Sequence, residues 1–222
     1  MVKAMNLSAV AIAVASALPS FSAPTTIDNP YLPLSKYRSC ELRGRQDDGT
    51  RERNTLTRLR RTRAFAVGGQ RVQTVVIRDR AYEDGRLVED TLDYFAQADD
   101  DTVNYFGEHV DNIRRGHVVD HHGSWLYGRD TDVLGVIMPA DPQVGDQWRS
   151  EDAPRVTIES DRLEETGLLA MAGGRLHTGV IRVSEFTQPD GDIEYKLYAP
   201  GVGVIAEYAP DGRAVLHHCV RR

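Results

Sequence analysis

Cysteine is scarce in this chain: there are two in 222 residues, Cys40 and Cys219. So low a count excludes a cysteine-rich zinc scaffold and a small disulfide-dense domain, and the two residues form no CxxC pair. Positive charge is also short. Lys and Arg number 27 against 33 Asp and Glu, for a net charge of −6, which excludes the basic surface that nucleic-acid phosphates demand. Past the N-terminus no apolar run approaches the roughly twenty residues of a membrane-crossing helix. No G-x-S-x-G, P-loop, dinucleotide fingerprint or HExxH occurs, so the common nucleophilic, nucleotide and zinc-protease sites are missing.

What is present begins with the N-terminus. Lys3 precedes an apolar stretch, Ala4 to Leu18, that ends in small residues. This is the pattern of a secretory signal, and it is short for a membrane span. Ser20-Phe21-Ser22 has the small-x-small form that signal peptidase accepts, giving a signal peptide over 1–22. Ala15-Ser16-Ala17 offers the same form upstream. No Cys follows, so a lipoprotein anchor is not indicated, and the competing account is a buried N-terminal helix. The organisation expected is a signal at 1–22, a Pro-rich irregular lead-in at 23–36, and one β domain at 37–222. A secreted or periplasmic location follows, with no transmembrane segment in the mature chain. In such an oxidising compartment an even cysteine count suggests a Cys40–Cys219 disulfide. The alternative is two unpaired buried thiols.

From residue 37 onward, β-branched and aromatic runs such as Thr74–Ile77 and Tyr195–Tyr198 alternate with turn dipeptides. These are Gly68-Gly69, Asp84-Gly85, Asp100-Asp101, Arg115-Gly116, Gly173-Gly174, Asp190-Gly191 and Asp211-Gly212. Gly and Asp tolerate the positive φ of primed hairpin turns. Helical periodicity is lacking, apart from Arg162–Met171, which could form a short helix. Val133–Gly145, with Pro139 and Pro142, reads as an irregular insertion. The fold class is therefore all-β, an antiparallel meander of about ten strands forming a strongly curled sheet or a barrel.

Five segments, Asn29–Leu34 (NPYLPL), Val76–Asp93, Tyr105–Glu108, Ile137–Asp146 (IMPADPQVGD) and Tyr198–Val204 (YAPGVGV), resemble those of a group of bacterial secreted β-rich proteins of uncharacterised function. The resemblance spans most of the chain after the signal. It implies an exported, sheet-rich domain and no particular chemistry. It also implies an aromatic at the Cys40 position in relatives, which would make the disulfide particular to this chain.

Placing the turn dipeptides at the hairpin tips aligns Arg58, Asp79, Asp90, Asp111 and Asp120 in one row across five strands. The next row on that face is Arg60, Ile77, Leu92, His109 and His122. This is the more apolar face, so four aspartates are expected to point inward against Arg58 and Arg60. Like charges opposite one another destabilise a sheet, and burial raises carboxylate pKa values. Three accounts meet that cost. The arginines can form a structural ion-pair network, the row can bind a small molecule or peptide, or His109, His122, Asp111 and Asp120 can hold a divalent cation. A single β-bulge would break the row. His117 and His121 are expected to face away from His122, and Trp125 and Trp148 to be core or rim residues.

The function expected is a non-enzymatic exported binding module with a polar, acidic inner face, whose partner is a small molecule or an envelope component. The alternatives are a structural or interaction protein of the cell envelope, and a carboxylate-dependent hydrolase using Asp90 and Asp111 as acid and base.

Overall fold

The structure is a computed structural model that describes residues 18–188, 191 and 193–222. Residues 1–17, which carry most of the expected signal, lie outside it. Among the described residues no helix forms. The strands are β1 (Tyr37–Gln46), β2 (Arg51–Val67), β3 (Gln70–Glu83), β4 (Arg86–Gln97), β5 (Val103–Arg114), β6 (His117–Asp120), β7 (Trp125–Leu126) and β8 (Gly135–Met138). They continue with β9 (Gln147–Ala153), β10 (Thr157–Ala172), β11 (Arg175–Gln188), β12 (Ile193–Ala199), β13 (Gly203–Ala209) and β14 (Gly212–Arg221). All pair antiparallel in one sheet, in the order β6-β5-β4-β3-β2-β1-β14-β13-β12-β11-β10-β9, with β7 and β8 added on β5. The all-β meander holds, with 14 strands rather than about ten. The sheet is curled but not closed.

Four of the expected tips are tight turns with positive φ at both central residues: Gly68-Gly69, Asp84-Gly85, Arg115-Gly116 and Gly173-Gly174. Primed turns of this kind match the twist of the flanking strands. Asp100-Asp101 instead belongs to a longer link, closed where the Ala98 N–H donates to the Thr102 carbonyl at 2.9 Å. Arg162–Met171 is not a helix but part of β10. Register shifts between Leu163 and Ala170 interrupt its two-residue alternation, and this irregular spacing is what imitates a helical period. Val133–Gly145 contains the short strand β8.

The sheet halves meet where the chain's ends do. β1 pairs with β14, Cys40 opposes Cys219, and the two sulfurs are bonded. The disulfide therefore fastens the first strand to the last side by side. It sits in the middle of the strand order, and so does not close the sheet around its interior. At the far edges, β8 comes against β9: a side chain at Gly135 would lie 2.0 Å from the Ser150 carbonyl oxygen. Only glycine permits that approach.

The concave face collects Ile27, Leu32, Val75, Ile77, Phe95, Tyr105, Trp125, Met138, Leu163, Ile181, Val183 and Tyr198 into the main core. A second cluster on the other face of β2–β5 contains Phe21, Phe65, Val72, Val76, Tyr94 and Phe106. The Pro-rich lead-in is irregular, as expected, and it is packed into the fold. The Asn29 amide donates to the carbonyls of Asp101 and Pro139, while its oxygen accepts from the Tyr31 and Leu32 N–H groups.

Candidate functional site

The expected aspartate row does not exist as one row. From the Asp84-Gly85 turn, Tyr82 opposes Leu87 but Ala81 opposes Glu89, so Val88 is the extra residue of a bulge. Because side chains alternate, that one-residue slip exchanges the faces. Asp79 then opposes Thr91, and Asp90 opposes Arg80. A second slip, between Asn112 and Ile113 with Val119 as the extra residue, places Asp120 opposite Asn112 instead of Asp111. Asp90 opposite Asp111, and Leu92 opposite His109, are as expected. A wider shift between Arg58 and Thr62 leaves Arg58 against Ile77 and Arg60 exposed.

The predicted residues thus have separate surroundings. Arg58 grips the lead-in rather than any aspartate, donating to the carbonyls of Thr25 (2.8 Å) and Leu34 (3.1 Å) and to Ser35 Oγ (3.0 Å). Asp90, on the convex face, is held by Arg78 and by Arg80, the latter at 3.2 Å. Burial opposes its charge, yet those two arginines keep its carboxyl below the usual range. Asp120 is exposed and accepts from the His122 N–H and the Asn112 amide, which lower its pKa. His122 is exposed as well. The histidine brought to Asp111 is His121, with Nδ1 2.9 Å from Oδ1, while His109 Nε2 lies at 3.5 Å. The proposed His109–His122–Asp111–Asp120 set is therefore not assembled, and the bulge before Asp120 is the reason.

Of the predicted row, Asp79 alone among the aspartates points into the concave face, two residues from the buried Ile77. It has company that the row did not include. Asp93 opposes both Ile77 and Glu108, and Glu151 opposes Glu159. Asp161 opposes Glu185, and Lys196 opposes Val183 on one side and Glu207 on the other. The carboxylates of the N-terminal half and those of the C-terminal half feel one another: Asp79 is perturbed by Asp93 and Glu207, and Asp93 by Glu151 and Lys196. They line the same interior.

Some of these carboxylates are well supplied with donors. The Tyr105 hydroxyl donates to Asp93 at 2.7 Å; the Trp125 indole and the Thr157 hydroxyl donate to Glu151 at 3.1 and 2.8 Å. Lys196 Nζ lies 2.6 Å from Glu185, whose side chain is 4% exposed. Others are not. Asp79 Oδ1 and Glu185 Oε1 are buried with no protein partner, and so is the Trp148 indole nitrogen. Ser150 Oγ lies 2.8 Å from Glu159 and 2.9 Å from Asp161. A hydroxyl carries one hydrogen, so bonding both requires one of the two carboxyls to donate a proton of its own.

Burial dominates the proton affinities. It lifts Asp93, Glu151 and Glu185 to about 7, and neighbouring carboxylates act in the same direction. Asp79, Glu108 and Asp161 are pushed well above the carboxylate range for the same first cause. Burial alone would lower Lys196, but Glu185 and its neighbours hold it firmly charged. The concave face is therefore a proton-holding, acidic surface with one ammonium among many carboxyls.

The residues that sequence reading missed carried a signal. In Asp161-x-Leu163, Val183-x-Glu185, Asp93-x-Phe95 and Lys196-x-Tyr198, a charged residue stands two positions from a large apolar one and so shares its face. Among the described residues, two groups of three could hold a metal ion: His109, Asp111 and His121 on the convex face, and Glu41, His217 and His218 beside the disulfide. None lies among the interior carboxylates.

No family model matches the chain, and no curated protein matches it. Among solved structures, one described as a "putative lipoprotein" from Parabacteroides distasonis is similar at 10% identity, over 86% of this chain and 98% of that one, with a TM-score of 0.41.

Proposed function

We propose that the protein is an exported, non-enzymatic binding module whose concave face takes a cationic organic ligand, an amine or polyamine. The observation that carries this is the imbalance of the interior. Among the described residues, Asp79, Asp93, Glu108, Glu151, Asp161 and Glu185 face one ammonium, that of the half-buried Lys196, and oxygens of Asp79 and Glu185 have no partner. Buried carboxylates of this kind cost stability unless something positive compensates them. The interior oxygens are spread over several strands rather than gathered at one point, which suits an extended cation with several N–H donors better than a single ion.

The test is calorimetry at pH 7.5 with spermidine, calcium and a neutral sugar. Spermidine is expected to bind, and Asp79→Asn to weaken it several-fold; equal heats from all three, or none from spermidine, would reject the reading. A purely structural network remains the alternative, favoured by the hydroxyl and indole donors already on Asp93 and Glu151.

Export rests on the N-terminal apolar run and on the resemblance to secreted proteins, and the fold bears on the cut. Phe21 is 6% exposed, its ring 5.9 Å from that of Phe106. The Ser22 N–H donates to Asp99 at 2.6 Å, and the Asp99 N–H donates to the Ser20 carbonyl at 2.9 Å. Cleavage after Ser22 would strip Phe21 from this core, at a cost of about 3 kcal/mol. Cleavage after Ala17 keeps it. Intact-mass measurement of the exported protein is expected to give Leu18 as the first residue; Ala23 would refute this.

A further inference from the structure

We infer that His109, Asp111 and His121 form a zinc-binding site on the convex face, independent of the interior carboxylates. Asp111 Oδ1 is 2.9 Å from His121 Nδ1 and 3.5 Å from His109 Nε2, and the three ligand atoms all lie within 4.8 Å of one another. In tetrahedral zinc, with bonds of about 2.0–2.1 Å, neighbouring ligand atoms stand about 3.3 Å apart. The two measured separations bracket that value. Two imidazoles and a carboxylate with an open position are a set that zinc accepts, and the three side chains are 32–56% exposed, so an ion and its water can enter.

The backbone makes the arrangement specific. The register shift between Asn112 and Ile113 ends the β5–β6 pairing one residue out of step. Immediately beyond, Ser124 Oγ accepts from the Val110 N–H at 2.8 Å, and the Ser124 N–H donates to the His121 carbonyl. That short loop folds His121 back over β5, with its ring stacked 5.1 Å from that of His109. The two rings are therefore oriented before any ion arrives. The neighbouring carboxylate, Asp90, is already occupied by Arg78 and Arg80, which leaves Asp111 with histidines alone for partners. The other three-residue group is less suitable, because Glu41 is engaged by Arg43 at 2.7 Å and Arg53 at 3.7 Å.

His121 Nδ1 also lies 2.9 Å from the Val110 carbonyl oxygen, so a bound ion takes the place of the hydrogen this nitrogen donates there. Calorimetric titration of the purified protein with zinc at pH 7.5 is expected to show one ion per chain, with a dissociation constant in the micromolar range. His109→Ala and His121→Gln should each weaken binding about tenfold or more. His122→Ala, Asp120→Asn and the His217→Ala/His218→Ala pair should leave it unchanged. The exposed positions of these side chains allow each variant to be checked for an unaltered melt. The site is refuted if zinc produces no saturable heat, if the His109 and His121 variants bind like the parent, or if the His217/His218 pair removes the ion instead.

Discussion

The protein is expected to lose stability as pH rises from about 5 to 8, the opposite of a domain stabilised by paired surface carboxylates. The sign follows from linkage. Asp93, Glu151 and Glu185 have folded values of about 7, against unfolded values near 4. A raised acid holds its proton in the folded state after the unfolded chain has released it. Its stabilising contribution is thus complete below about pH 4 and disappears as pH passes through 7. Asp79, Glu108 and Asp161 extend the decline to higher pH. Taken independently, three groups shifted by nearly three units would remove roughly 10 kcal/mol, as much as the entire stability of an ordinary domain. These groups share protons and neighbours, so about 3–5 kcal/mol is the reasonable expectation, or roughly 10 °C in melting temperature for a domain of this length.

Thermal melts at half-unit pH steps check this, and Asp79→Asn supplies the control. An amide at that position removes a buried charge without changing shape, so it should raise the melting temperature at pH 8 and leave it nearly unchanged at pH 5. A flat profile, or an Asp79→Asn variant that is destabilised at both values, would mean that the interior carboxylates are fully compensated within the fold. Spermidine in the parent protein should act as the amide does, lifting the pH 8 melt. In this way the interior charge and its ligand are one physical question. Replacing Lys196 by Met should have the reverse effect, leaving Glu185 buried without its cation at a cost of about 3–5 kcal/mol.

How much of this was legible in the sequence depends on the physics of each feature. Hairpin tips were readable because Gly68-Gly69 and Asp84-Gly85 must take positive φ, a local requirement written in two residues. The inward acidic character was readable in kind, since Asp79 lies between apolar neighbours on an alternating strand. Its membership was not. The row depended on counting outward from turns, and one extra residue at Val88 and another at Val119 were enough to exchange faces. A bulge is set by packing across strands, and nothing in Leu87–Asp90 marks it locally. Strict strand alternation turns His121 away from His122 and from the cation site, and the same unmarked slip is what brings it to Asp111. The C-terminal carboxylates lie outside that row because the turns it is counted from join only β2–β6, whereas the two-residue spacing of Asp161 and Leu163 obeys the same rule.

Removing the disulfide is expected to have the other large effect. Cys40 and Cys219 are 179 residues apart in sequence and 4.1 Å apart between Cα atoms. On the chain-entropy account, closing a loop of that length stabilises by about 5 kcal/mol, and measured values commonly fall to 2–4. The position within the sheet suggests the upper part of that range. β1 and β14 are the single junction in the strand order between the N-terminal half, β1–β8, and the C-terminal half, β9–β14. Their pairing carries register shifts on both sides of Cys40, between Tyr37 and Ser39 and between Glu41 and Leu42. An interrupted ladder holds less firmly than a regular one, so the covalent bond reinforces the strand pairing that joins the halves. A Cys40→Ser/Cys219→Ser variant should melt about 10 °C below the oxidised parent, and reductant should lower the parent by the same amount while leaving the variant unmoved. The zinc site offers an internal check, because His109, Asp111 and His121 lie wholly within the N-terminal half. If the halves separate at this seam, the variant should lose spermidine binding, which needs carboxylates from both sides, at temperatures where it still binds zinc. Simultaneous loss of both would show a single cooperative unit, and a double variant melting within about 2 °C of the parent would show that the strand pairing alone holds the seam.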